Sequence, residues 1–157
     1  MAFILLRDRP SDSLEEFRAG WARYQEYLSS IADRLPTSAR CFALAEWHYD
    51  PGDPRCPHDA WIERVEVLET GTGDRQEVRS LELRVRLLGA YHDGHIELTY
   101  QDVRRYRVAS RRPAHGDWLY DEIRLSSDGL VLHEIEIAGD TWEIECQDIA
   151  YEWKPKG

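Results

Sequence analysis

The chain has 157 residues, with 30 acidic against 20 basic side chains, a formal charge of -10, and 42% hydrophobic content that includes six Trp, eight Tyr and three Phe. Disordered chains carry few aromatics, so this one folds, and a domain of its size buries about 68–70% of its unfolded surface, enough for one core without metals or disulfides. The acid excess repels phosphate backbones, which argues against nucleic acid and for a basic protein as partner.

The apolar run at residues 2–6 is far shorter than the ~20 residues that span a bilayer, and it lacks the basic start and the length of a secretory signal. It predicts a short first strand and no membrane association. Cys41, Cys56 and Cys146 are odd in number and have no C-x-x-C spacing, so neither a disulfide framework nor a cysteine zinc site is expected, and a cytoplasmic setting fits.

Residues 1–57 read as a helical segment and loop. Leu14, Phe17, Trp21, Tyr24, Leu28, Ile31 and Leu35 recur at helical spacing, Ser13 with Glu16 forms a capping box, and Pro36 ends the helix at Leu35. A shorter helix is expected from Ser38 to about Trp47 or His48, with Cys41, Phe42 and Ala45 inward. Three prolines and a glycine within residues 49–57 then mark a loop.

Beyond the loop the period becomes two. Leu81, Leu83, Val85 and Leu87 alternate with charged residues, as do Ile96, Leu98 and Tyr100, and Asp93-Gly94 supplies a turn because it tolerates positive φ. Further strands are expected at 60–69, 117–125, 130–137 and 141–153. Ile96-Glu97-Leu98-Thr99-Tyr100-Gln101-Asp102-Val103 parallels Trp142-Glu143-Ile144-Glu145-Cys146-Gln147-Asp148-Ile149, and His58-Asp59-Ala60-Trp61-Ile62 parallels His115-Gly116-Asp117-Trp118-Leu119. The reading is a single α+β domain in which N-terminal helices pack on an antiparallel sheet of about six strands. That sheet is made of two repeated three-stranded meanders, residues 58–103 and 115–153, with a bulge or bend at each Gln-Asp pair.

His92, His95 and His58 are of a type that binds metal, but two histidines across a turn point in poorly controlled directions and no third ligand is fixed by spacing. His58-Asp59 and the equivalent His115/Asp117 could also act as general bases, against the blander reading that Asp59 and Asp117 bond backbone at strand entry. Asp121 shares its strand phase with apolar residues and needs a partner; His133 on the next strand is the candidate. The basic run Arg104, Arg105, Arg107, Arg111 and Arg112 is expected to pair with the protein's own acidic surface rather than with nucleic acid. Trp118 and Tyr120 oppose Leu119 and Ile123, and Leu130 and Leu132 oppose Val131 and Ile135, so this half is apolar on parts of both faces. Either another element covers that side, or Trp118, Tyr120, Asp121, Glu122, His133, Leu130 and Leu132 form a partner surface.

The run Trp118-Leu119-Tyr120-Asp121-Glu122-Ile123, with upstream His58-Asp59-Ala60 and downstream Ile144-Glu145-Cys146-Gln147-Asp148-Ile149, resembles a family of uncharacterised bacterial proteins. The resemblance implies a bacterial source and lends no activity. With no nucleotide loop, serine elbow or zinc-protease motif, the expectation is a non-enzymatic cytoplasmic binding protein without cofactor, of the kind that neutralises a basic toxin. The rival is a metal-dependent enzyme or small-molecule binder built on the His/Asp cluster.

Overall fold

In the computed structural model, which describes residues 2–5 and 13–157, eight antiparallel strands form two four-stranded sheets with two helices packed against them. Helix α1 (Leu14–Ile31) starts where the capping box places it, with the Ser13 side chain accepting from the Glu16 N–H at 3.1 Å. It ends four residues earlier than Leu35, because residues 32–34 tighten into a 3-10 turn. Helix α2 (Thr37–Ala43) is also shorter than expected and releases Trp47 and His48 into turns. Residues 2–5 form no strand, and Leu6, the remainder of that expected element, lies outside the described residues.

The first sheet has the order β1 (Trp61–Thr72), β2 (Val78–Leu88), β3 (Gly94–Gln101), β8 (Asp148–Pro155). The second runs β4 (Arg105–Arg107), β7 (Asp140–Cys146), β6 (Val131–Ile137), β5 (Trp118–Leu125). The expected single sheet of six strands in two three-stranded repeats is therefore corrected. Each sheet takes a fourth strand from the other half of the chain, because the closing strand of each half breaks at its Gln-Asp pair. Gln101 lies opposite Asp148, Gln147 N–H donates to the Gln101 carbonyl at 2.9 Å, and Asp102 takes a positive φ of 47°. Beyond that bend β4 pairs with β7. At the opposite edge the starts of β1 and β5 touch through a Trp61–Asp117 bridge, with Trp118 N–H donating to the Ala60 carbonyl at 3.0 Å.

Registered pairing stacks Leu83, Val85 and Leu87 beside Tyr100, Leu98 and Ile96 on one face of the first sheet. Ile123, Val131, Ile135, Trp142 and Ile144 supply the facing core of the second sheet, all of them buried. Each such side chain contributes about 1.5–3 kcal/mol by leaving water. Helix α2 packs on β8, where the Asp148 carboxylate accepts the Ala39 N–H at 2.9 Å and so caps the first turn from outside. Positive φ in the β2–β3 turn falls on His92 (60°) rather than Gly94; Gly94 is needed because a Cβ there would run into the Trp153 ring.

Candidate functional site

Strand β5 carries two consecutive carboxylates that face opposite sides of the second sheet, and both are buried. On the inner side, Asp121 Oδ2 lies 2.8 Å from His133 Nε2, the partner expected from strand phase. It also lies 2.8 Å from His48 Nε2, a contact across 73 positions of sequence that depends on α2 ending early. Trp118 Nε1 donates to Asp121 Oδ1 at 3.3 Å. Trp118 reaches this side because the β5–β6 register shifts between Trp118 and Tyr120, which cancels the alternation that would put Trp118 on the outer face.

The hydrogen-bond partners of each ring assign the protons. His48 Nδ1 sits 2.7 Å from the Phe42 carbonyl, which can only accept, so Nδ1 carries hydrogen; an ionised Asp121 also only accepts, so Nε2 does too. His48 is thus an imidazolium ion, held between the rings of Phe42 and Tyr49 at centroid distances of 4.1 and 4.0 Å. Burial alone would raise the Asp121 carboxyl, but the charge on His48 and the hydrogen bonds from both histidines outweigh it and hold the group well below the usual carboxylate range. His133 is different. Burial pulls its imidazole down against the opposing pull of Asp121, leaving it neutral, with Nε2–H on Asp121 and Nδ1 accepting from the Tyr100 hydroxyl at 2.8 Å. Burial likewise keeps the Tyr100 phenol protonated, so this chain of donors closes without an orphan.

Above Asp121 is a partly enclosed cavity of about 250 Å³. Its walls are Phe17 and Trp21 from α1, Ile4, the turn residues His48, Tyr49, Pro51, Cys56 and His58, and Leu119 and Tyr120 from β5. Rings meet in pairs, Phe17 with Tyr120 at 5.4 Å and Trp21 with Tyr49 at 4.8 Å between centroids. The Tyr49 hydroxyl donates to the Asp121 carbonyl at 3.2 Å and lies 2.9 Å from the Tyr24 hydroxyl, which accepts the Ile123 N–H at 2.7 Å, so loop, helix and strand are pinned together. His58 Nδ1–H donates to the Leu119 carbonyl at 2.5 Å, and its Nε2 is 3.5 Å from the exposed carboxylate of Asp59, a residue held at φ 63°. Burial pushes the Cys56 thiol up to about 12, which removes it as a thiolate nucleophile at neutral pH.

On the outer side Glu122 is equally enclosed. Its Oε1 accepts the backbone N–H groups of Phe3 at 2.6 Å, Leu5 at 3.3 Å and Ile4, and its Oε2 accepts from Arg124 at 2.9 Å. Arg124 also reaches Glu134 at 2.6 Å. Residues 2–5 lie over this face and under α1, so closely that a Cβ on Gly20 would collide with the Phe3 carbonyl oxygen.

The residues of the expected partner surface are divided between core, groove and cavity. Trp118, Asp121, Glu122 and His133 are 0–2% exposed, consumed by internal contacts, while Leu130 and Leu132 are half-buried and Leu132 shares a groove with Phe3 and Tyr27. Of the seven residues, Tyr120 and Asp121 line the cavity. Phe17, Trp21, His48 and Tyr49 complete it; helical spacing marks the first two only as core, and nothing local marks His48 or Tyr49. The candidate metal ligands do not converge: His58 lies at the cavity, His92 packs on Trp61 at 4.5 Å, and His95 pairs with Glu63 at 3.0 Å. Among the described residues no group of three His, Cys, Asp or Glu is placed to hold a metal ion. The basic run does meet the protein's own acids, Arg105 lying near Glu143 and Glu145, and Arg107 and Arg111 near Asp140. No helix among the described residues is long and apolar enough to cross a membrane.

Comparison of the chain with protein-family models, with curated proteins and with solved structures finds no match, so the geometry of the site is what bears on function.

Proposed function

We propose that this protein binds a small organic molecule in the cavity between α1, the turns at residues 47–58 and β5. The observation that carries this reading is the pairing of a partly enclosed, ring-walled space of about 250 Å³ with a rigid ionic floor. An apolar cavity of ~150 Å³ already holds a benzene-sized guest. Binding sites are typically apolar concavities with a few fixed polar groups, and Asp121, His48 and Tyr49 are fixed here by bonds to three different elements.

Capture of a basic protein of the immunity type is the second reading. It draws on the formal charge of -10 and on exposed Trp61 and Tyr91, and it would use those residues in place of the buried ones.

A ligand-observed NMR screen of small aromatic and cyclic fragments against the whole chain separates the two. Hits are expected, with their signals lost on Tyr120→Ala and kept on Tyr106→Ala, which alters a side chain outside the cavity lining. An empty screen, or hits indifferent to Tyr120→Ala, would overturn the small-molecule reading.

A further inference from the structure

Resting on that reading, we propose that the ligand is an organic cation, an amine or quaternary ammonium with a small apolar body, held by the aromatic walls of the cavity, Trp21 and Tyr120 foremost. Aromatic faces carry the negative lobe of the ring quadrupole and attract cations, most strongly when water is excluded. Four such rings line one cavity, in two contacting pairs.

The fixed charges point the same way. Among the described residues no Lys or Arg lines the cavity, and the cationic His48 in its wall is neutralised at 2.8 Å by Asp121, so an anion would find no uncompensated counter-ion among them. Asp121 accepts three hydrogen bonds, from His48, His133 and Trp118, of the roughly four a carboxylate can take. That leaves an acceptor position on a residue of the cavity wall for the N–H of a protonated amine, while a quaternary ammonium would rely on the rings alone. At the mouth, His58 is accompanied by the exposed carboxylate of Asp59, and the chain as a whole carries -10, so a cation approaches down the field and an anion against it.

The test is isothermal titration of the full chain at neutral pH with three probes of one shape: benzyltrimethylammonium, benzyl alcohol and benzoate. The ammonium is expected to bind at least tenfold more tightly than the alcohol, with benzoate weakest. Trp21→Leu and Tyr120→Leu should each weaken the ammonium at least fivefold more than they weaken the alcohol, with the circular dichroism of both variants matching the parent, which separates lost ring faces from lost folding. Equal affinities for ammonium and alcohol, or tighter binding of benzoate, would overturn the cation assignment and leave the small-molecule reading standing. Failure of all three probes overturns the assignment, and an empty fragment screen alongside it removes the reading beneath.

Discussion

Asp121→Ala is expected to remove about 3–5 kcal/mol of stability, the usual cost of leaving a buried charge without its partner. The residue lost is the acceptor for His48, His133 and Trp118 at once. Without it the His48 ring still donates to the Phe42 carbonyl through Nδ1 but has nothing for Nε2, and the proton held there must be given up. Asp121→Asn should cost distinctly less. With its Nδ2 in the place of Oδ2, the amide can donate to the Nε2 of a neutral His48 and to the Nε2 of a His133 whose proton has moved to Nδ1, facing the Tyr100 hydroxyl, while its Oδ1 still accepts from Trp118, so geometry survives although the charge pair does not. Urea unfolding of the two variants measures both numbers, and the ranking Ala worse than Asn is the informative result; equal losses would mean that charge, rather than hydrogen-bond satisfaction, sets the energy.

The neighbouring carboxylate gives the second large effect, by a different route. Glu122→Ala is expected to cost about 3 kcal/mol or more, because three backbone N–H groups of residues 3–5 and one arm of Arg124 lose their acceptor inside the protein. Arg124 keeps Glu134, which limits the damage on that side. The loss should be local as well as global. Amide hydrogen exchange of Phe3, Ile4 and Leu5 should accelerate to near the unprotected rate in the variant, while the amide of Ile123, bonded to the Tyr24 hydroxyl, stays protected. Retained protection at residues 3–5 would show that packing alone holds that segment, with the carboxylate incidental. Ile4 also lines the cavity, so the variant ties the segment that covers the outer face of β5 to the site.

These two residues also show what could and could not be read from the sequence. The phase of Asp121 among apolar neighbours demanded a partner, and His133 on the adjoining strand was within reach of that reasoning because strand pairing is local. His48 was not, since its approach depends on where α2 stops and on a turn that brings a distant segment over β5. Glu122 invited the opposite error. Alternation implies one buried and one wet face, and only the apolar Trp118, Tyr120, Leu130 and Leu132, read on the same side, hinted that something covers it. The covering element, residues 2–5, reads from its apolar run as a short strand, which it is not, and so short a run does not say which face it covers.

At the level of architecture, the capping box located the start of α1 and period-two runs located β2 and β3, because those signals act within a few residues. Each Gln-Asp pair was recognisable as a break in alternation, but the exchange of strands between sheets was not, since a bend does not say what the chain pairs with next. The register shift between Trp118 and Tyr120 is a backbone event without a residue signature, and it moved Trp118 from an expected surface to the core.

The site depends on an Asp121 that is ionised within the protein and whose charge is balanced by His48 alone. Long-range 15N–1H correlation spectra of the histidine rings measure this directly. At neutral pH His48 should show protons on both ring nitrogens and His133 a proton on Nε2 only. On acidification His133 should remain neutral below the ordinary histidine value near 6.5, since burial depresses its folded-state value and acid therefore favours the unfolded chain. A neutral His48 at pH 7, or a His133 that titrates like a histidine in water, would contradict the account.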